Sequence, residues 1–263
     1  MSQHLLSVAG LTKHYGTFTA VSGLDLEVPT GTILALLGPN GAGKTTTIRM
    51  LIGQLRPSAG TASVAGLDCF AQRAEVMRIT GYLPDEPVFH DYLTGRELLG
   101  FVAGLHGLSG AELRERADPL VARLELGGAI DDYAVNYSRG MKKKLALAMA
   151  LLHRPRLLIL DEPANGLDPY AARELLALVR EQATAGTTVV FSTHLLEQAE
   201  RISDRAAILA HGRLVAEGSI AELRERAAAG GSLEEVFFAV TRDDAAPGEA
   251  AVAGGDVVKE PAP

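Results

Sequence analysis

The chain has 263 residues, 47% of them hydrophobic, which is enough to bury a sizeable core and too apolar for a disordered polymer. Its formal net charge of −7 speaks against the basic face that nucleic-acid phosphates require, so no nucleic-acid partner is expected. A single cysteine, Cys69, excludes an intrachain disulfide and suits a packed thiol in a reducing compartment.

In chain order, Leu5 to Val8, Phe18 to Leu26 and Thr61 to Val64 are β-rich runs bounded by turn residues, and they predict a small antiparallel sheet. Between the second and third lies Ile33 to Leu37, a continuous apolar run that leads into a glycine-rich turn and a helical stretch from Thr45 to Ile52. From Thr94 to about Arg154 the pattern is helical, with Thr94/Glu97 and Ser109/Glu112 spaced as capping boxes. Leu98, Phe101, Val102 and Leu105 then share one face, and Phe101 and Val102 are expected to be mostly buried. Leu157 to Leu160 reads as a buried strand and about Tyr170 to Gln182 as a helix. Thr188 to Phe191 follows as a strand, and another helix begins near Leu195.

This alternation predicts an α/β fold with a mainly parallel sheet. Ser232 and Glu235 are spaced to cap a short helix carrying Leu233, Val236, Phe237 and Val240 on one face. Residues 241–263, rich in Ala, Gly, Pro and acids, are expected to form a disordered tail. The longest uninterrupted apolar run, Leu145 to Leu152, is eight residues, against the roughly 20 that span a bilayer. The first residues, MSQHLLSVAGLTKHYG, do not have the pattern of a secretory signal, and cytoplasmic residence is expected.

Gly38, Pro39, Asn40, Gly41, Ala42, Gly43, Lys44 and Thr45 match G-x-x-x-x-G-K-[ST] between a predicted strand and a predicted helix. Glycines at these positions let backbone N–H groups converge on phosphate oxygens, and the helix start adds partial positive charge. Lys44 is placed to reach the β- and γ-phosphates of a nucleotide, and Thr45 to coordinate Mg²⁺. The chain contains no N-K-x-D guanine-reading motif.

The strand ending at Leu160 delivers Asp161 and Glu162 where ligands of open α/β sheets gather. Asp161 can hold Mg²⁺ through its water shell, and Glu162 can polarise a water that attacks the γ-phosphate. His194, which follows the next apolar strand and Thr193, can meet the γ-phosphate or that water.

A further segment, YSRGMKKKL from Tyr137 to Leu145, resembles the signature motif of the nucleotide-binding subunits of ABC transporters. Tyr15 resembles that family's adenine-stacking aromatic, GPNGAGKTT (through Thr46) its Walker A loop and LLILDEP its Walker B strand. NGLD ending at Asp168 resembles its D-loop, and STH ending at His194 its switch histidine. The resemblance covers roughly residues 4 to 220 and implies a P-loop NTPase core with an antiparallel β subdomain. It also implies an ABC ATPase domain over 1–228 with a helical subdomain at about 86–156, followed by a short helix at 229–240.

The same resemblance implies that two such chains, identical or different, close around two Mg-ATP molecules, with Ser138 and Gly140 of each chain contacting ATP held by the other. It further implies hydrolysis with Glu162 as general base and coupling to separate transmembrane permease subunits at the cytoplasmic face, in the direction of export. Loop residues such as Tyr92 are expected to line a groove for a permease helix. A soluble ABC ATPase that moves an assembly or scaffold partner is the alternative.

Two departures stand out. Arg139 and Met141 replace a glycine and a glutamine of the family's common signature. In GYLPDEP, Asp85, followed by Glu86, stands where the family often has a Mg²⁺- and water-sensing glutamine. Asp85 keeps an oxygen ligand but adds a negative charge; its other reading is the cap of a turn.

Overall fold

The structure, a computed structural model, describes residues 4–226 and 232–243. Two sheets organise it. The smaller is antiparallel, with β1 (His4–Tyr15) between β2 (Phe18–Pro29) and β4 (Ala59–Val64), and β5 (Leu67–Asp68) at the edge beyond β4. The larger has six strands, in the order β10 (Arg213–Ser219), β9 (Arg205–Ala210), β3 (Ile33–Leu37), β8 (Thr188–Thr193), β7 (Leu157–Asp161) and β6 (Thr80–Leu83). Within it only the β9–β10 pair is antiparallel.

The parallel strands are apolar throughout because both faces of the sheet are covered. Every residue of β3 is buried, and the side chains alternate. Ile33, Ala35 and Leu37 enter one core, while Leu34 and Leu36 enter the other. Strand β7 divides in the same way, Leu158 and Leu160 against Leu157 and Ile159. The second core lies between the two sheets and also takes Ile48, Met50 and Leu51 of α1 (Lys44–Leu51). Cys69 packs in this layer, and burial pushes its thiol up to about 12.

Three helices, α3 (Gly95–Leu105), α4 (Gly110–Arg123) and α5 (Arg139–Leu151), lie between residues 86 and 156 and pack on one another, with α5 also against β6. Both capping boxes form: Thr94 and Ser109 accept from the backbone of Glu97 and Glu112, whose carboxylates accept from the cap N–H groups in return.

The expected apolar face of α3 needs correction. Its buried residues are Gly95, Leu98, Leu99 and Ala103; Val102 is half-buried, while Phe101 and Leu105 are 61% and 68% exposed. Leu98 lies on the contact face as expected, joined by Leu99 and by the small residues Gly95 and Ala103, which carry little hydropathy signal. A Cβ on Gly95 would lie 2.4 Å from the Tyr137 hydroxyl.

Helices α2 (Arg73–Arg78), α6 (Pro169–Thr184), α7 (Leu196–Ile202) and α8 (Ile220–Arg226) complete the core. Helix α9 (Leu233–Asp243) buries Leu233 and Val236 and packs Phe237 and Val240 against the first core. It runs three residues past the expected end at 240, with the Thr241 hydroxyl donating to the Phe237 carbonyl. The rest of the expected tail, 244–263, and residues 229–231 lie outside the described residues. No described helix is long and apolar enough to cross a membrane.

Candidate functional site

Parallel pairing makes four adjacent strands, β3, β8, β7 and β6, end on the same side of the larger sheet. Their carboxyl ends lead, side by side, into the Gly38–Gly43 loop, His194, Asp161–Glu162 and Asp85. This is the crevice in which open α/β sheets bind ligands.

The loop closes onto the start of α1 at Gly43, which has φ 101°. A Cβ there would sit 2.6 Å from the Ala20 carbonyl, so the turn demands glycine. The first N–H groups of a helix have no partner within it and favour an anion. Beside them Lys44 is only 7% exposed, and its ammonium donates to the carbonyls of Gly38 at 2.6 Å and Pro39 at 3.2 Å. Burial lowers the Lys44 pKa, and the negative charges of Glu162 and Asp161 oppose that shift.

Asp161 is buried, and its Oδ1 accepts from the Ser192 hydroxyl and, at 3.4 Å, from the Thr45 hydroxyl. Ser192 also accepts from the Glu162 N–H at 3.0 Å, so β8 positions both acids of β7. The Glu162 carboxylate meets His194 Nδ1 through Oε2 at 3.0 Å and approaches Lys44 Nζ through Oε1 at 3.8 Å. Glu162 itself has φ 45°, in the left-handed region that side-chain-bearing residues avoid.

The donor set favours a hard cation. The Thr45 hydroxyl and the Asp161 carboxylate bring two oxygens together, while no cluster of three His, Cys, Asp or Glu side chains suited to a metal occurs among the described residues. Mg²⁺ fits such a pair because it keeps several waters and takes further oxygens from phosphates. A structural zinc site would need four nitrogen or sulfur ligands.

A cleft of about 310 Å³ opens over this cluster, lined by Tyr15, Asn40 to Thr46, Asp85 and Glu162, with Phe18 and Ala20 beside Tyr15. Tyr15 and Phe18 are 48% and 63% exposed, an aromatic pair at the β1–β2 turn suited to stacking on a flat heterocycle. Phe18 escaped the sequence reading because it looked like an ordinary strand residue; only its register opposite Tyr15 marks it.

Of the expected site residues outside this lining, Gly38, Pro39, Asp161 and His194 hydrogen-bond to residues that form it, whereas Ser138, Gly140 and Asp168 belong to the starts of α5 and α6. Ser138 caps α5 by accepting from Met141 N–H at 3.2 Å, and Gly140 lies in the same first turn. Asp168 caps α6 by accepting from the N–H groups of Tyr170 and Ala171.

Lys143, the middle of three consecutive lysines in this segment, has no exposed surface and donates to the Glu162 carbonyl at 2.6 Å. It also reaches Asp85 Oδ1 at 3.4 Å, and the same oxygen accepts from Asn165 Nδ2 at 3.1 Å. Burial lowers the Lys143 pKa, and Asp85 opposes that shift. The acidic side chain that replaces a glutamine thus has a cation beside it.

Residues 21–165 match the ABC transporter family. The daunorubicin/doxorubicin resistance ATP-binding protein of Streptomyces peucetius is 43% identical over 219 residues, 83% of this chain and 66% of that protein. The Nod factor export ATP-binding protein I of Rhizobium sp. (strain N33) is 37% identical over 83% of this chain and 72% of its own length. A solved structure of the ATP-binding subunit of an ABC transporter superposes with a TM-score of 0.85 at 36% identity, covering 90% of this chain and 99% of that one. With this fold, this crevice and these likenesses, the chain belongs to the ATP-binding subunits of the ABC transporter family, which are ATPases.

Proposed function

We propose that the chain binds Mg-ATP in the cleft between Tyr15 and the Gly38–Thr46 loop and closes against a second ATPase subunit, its own copy or a different chain. Closure and hydrolysis then drive export through separate permease subunits at the cytoplasmic face of the membrane. The observation that carries this reading is the meeting of Lys44, Asp161, Glu162 and His194 at neighbouring strand ends, with the Ser138–Gly140 helix start outside the cleft that Lys44 and Glu162 help to line.

In this reading Tyr15 stacks on adenine, the loop N–H groups and Lys44 hold the β- and γ-phosphates, and Thr45 and Asp161 hold Mg²⁺. The bound cation neutralises charge on the phosphate oxygens. Glu162 takes a proton from the attacking water as the bond from γ-phosphorus to the bridging oxygen breaks, giving ADP and phosphate. His194 fixes one carboxylate oxygen, leaving the other for the water. Ser138 and Gly140 supply a second phosphate-binding helix start in trans, and Asp168 orders the loop that faces the partner.

The export direction is supported by the relatives, one named for drug resistance and one for export. Purified chain should hydrolyse Mg-ATP, and Glu162→Gln should lower the rate by about 10²–10⁴-fold. Cells lacking the chain should retain more of an apolar cationic dye, with export restored by the wild type and not by Glu162→Gln. Normal hydrolysis with unchanged dye retention, and unchanged retention of anthracycline drugs, would retire the export assignment while leaving the ATPase intact.

A further inference from the structure

An ammonium taken fully out of water is strongly destabilising unless its protons are paired. Lys143 is fully buried, and its three protons face three acceptors: the carbonyls of Glu162 at 2.6 Å and Asn165 at 3.0 Å, and Asp85 Oδ1 at 3.4 Å. Those acceptors sit on two segments, the end of β6 and the turn after β7, while the lysine belongs to the helix that begins at Ser138. Asn165 donates to the same Asp85 oxygen and closes the ring.

One of these contacts falls where the backbone most needs support. Glu162 holds φ 45°, a left-handed conformation that side-chain-bearing residues avoid, and the Lys143 ammonium grips its carbonyl. Rotation of that peptide would swing the carboxylate away from His194 and Lys44.

A second contact lies one helical turn nearer the start of α5. Arg139 reaches Glu86 at 3.5 Å and lies against Gly166, where a Cβ would be 2.7 Å from its Nε. Arg139 and Lys143, four residues apart on α5, thus pair with the consecutive acids Glu86 and Asp85.

We propose that Lys143 is a positioning residue for hydrolysis: it holds the Glu162 backbone in its active conformation and ties it to the signature helix of the same subunit, with Asp85 as its counter-ion. A shift of α5 on engaging nucleotide held by the partner then moves the general base directly. Asp85 in this chain balances a buried cation rather than serving as a metal ligand.

The inference rests on Glu162 as general base, so Glu162→Gln is the control. The test is single-turnover and steady-state Mg-ATP hydrolysis by the full chain, with thermal melting to establish folding. Lys143→Met should lower kcat by roughly 10- to 100-fold with KM for ATP within about twofold, the signature of lost transition-state alignment. Asp85→Asn should lose roughly three- to tenfold, and the double variant should be no slower than Lys143→Met alone, because the two act through one contact.

A folded Lys143→Met with kcat within about twofold of wild type, while Glu162→Gln is dead, overturns the proposal and leaves the general base standing. An active Glu162→Gln overturns the base assignment itself. Should Lys143→Met fail to fold, Asp85→Asn decides: unchanged kcat in that variant overturns the proposal.

Discussion

Two helices in this chain begin in a manner suited to phosphate, and their surroundings differ. The start of α1 is crowded: Gly43 is pressed against the Ala20 carbonyl, Lys44 is buried beside it, and Asp161, Glu162 and His194 stand at adjoining strand ends. The start of α5 is open. Ser138 and Arg139 are exposed, and a Cβ on Gly140 would touch only a leucine side chain at 3.4 Å and the Ser138 hydroxyl at 3.9 Å. The first start has hydrolytic groups and lacks a facing wall; the second has a binding turn and lacks hydrolytic groups. Under the proposed function, the contrast is that of two half-sites displayed on one chain for use by two.

Breaking the α1 side should cost most. Lys44→Ala removes the one cation beside the phosphate loop among the residues lining the cleft and should lower ATP hydrolysis by about 10²–10³-fold, read from steady-state rates with fluorescent-nucleotide binding alongside.

Glycine replacements sharpen the contrast. Gly43→Ala meets both a left-handed φ and a 2.6 Å clash, so a loss of about 1–3 kcal/mol of stability is expected in chemical denaturation. Gly140→Ala meets ordinary contact distances and should melt within about 0.5–1 kcal/mol of wild type. Equal losses at the two positions would erase the distinction between a built and an open helix start.

Tyr15→Ala should raise KM for ATP by about three- to tenfold with little change in kcat, corresponding to the roughly 1 kcal/mol of an aromatic stack. A smaller effect than this would point to Phe18 as sharing the face.

A pH-dependent effect on stability, away from the cleft, concerns the far end of α5. His153, just beyond that helix, stacks on His106 with ring centroids 3.8 Å apart. Burial, reinforced by His106, lowers its pKa from 6.5 to about 4. Between those values the unfolded chain binds the proton that the folded chain refuses, so stability falls as pH drops from about 6.5 toward 4, by on the order of 2 kcal/mol. Denaturant midpoints at pH 7 and pH 5 should differ for the wild type and differ less for His153→Leu, in which only the burial-lowered His106 of the pair remains.

Much of this was legible in the sequence. The apolar runs from Ile33, Leu157 and Thr188 are strands because their side chains pack alternately into two cores, and the phosphate loop and the two acids follow them in the order the text of the chain gives. Side-chain burial was less legible. Phe101 drew the apolar face of α3 toward itself, while the true contact joins Gly95, Leu99 and Ala103 to the expected Leu98.

Lys143 reads as solvated because lysine usually is, yet it stands four and eight residues before Leu147 and Leu151 on the buried stripe of α5. That spacing is the signal that could have found it. Its partners, Asp85 and the Glu162 and Asn165 carbonyls, come from distant parts of the chain and have no local signature.

The two-half-site account is tested most directly by measuring mass in solution, by light scattering, for Glu162→Gln with and without Gly140→Asp in saturating Mg-ATP. The account predicts that Glu162→Gln is monomeric without nucleotide and dimeric with it, and that adding Gly140→Asp returns it to a monomer that still binds ATP. A Glu162→Gln chain that stays monomeric with ATP bound, or a dimer indifferent to Gly140→Asp, would contradict it.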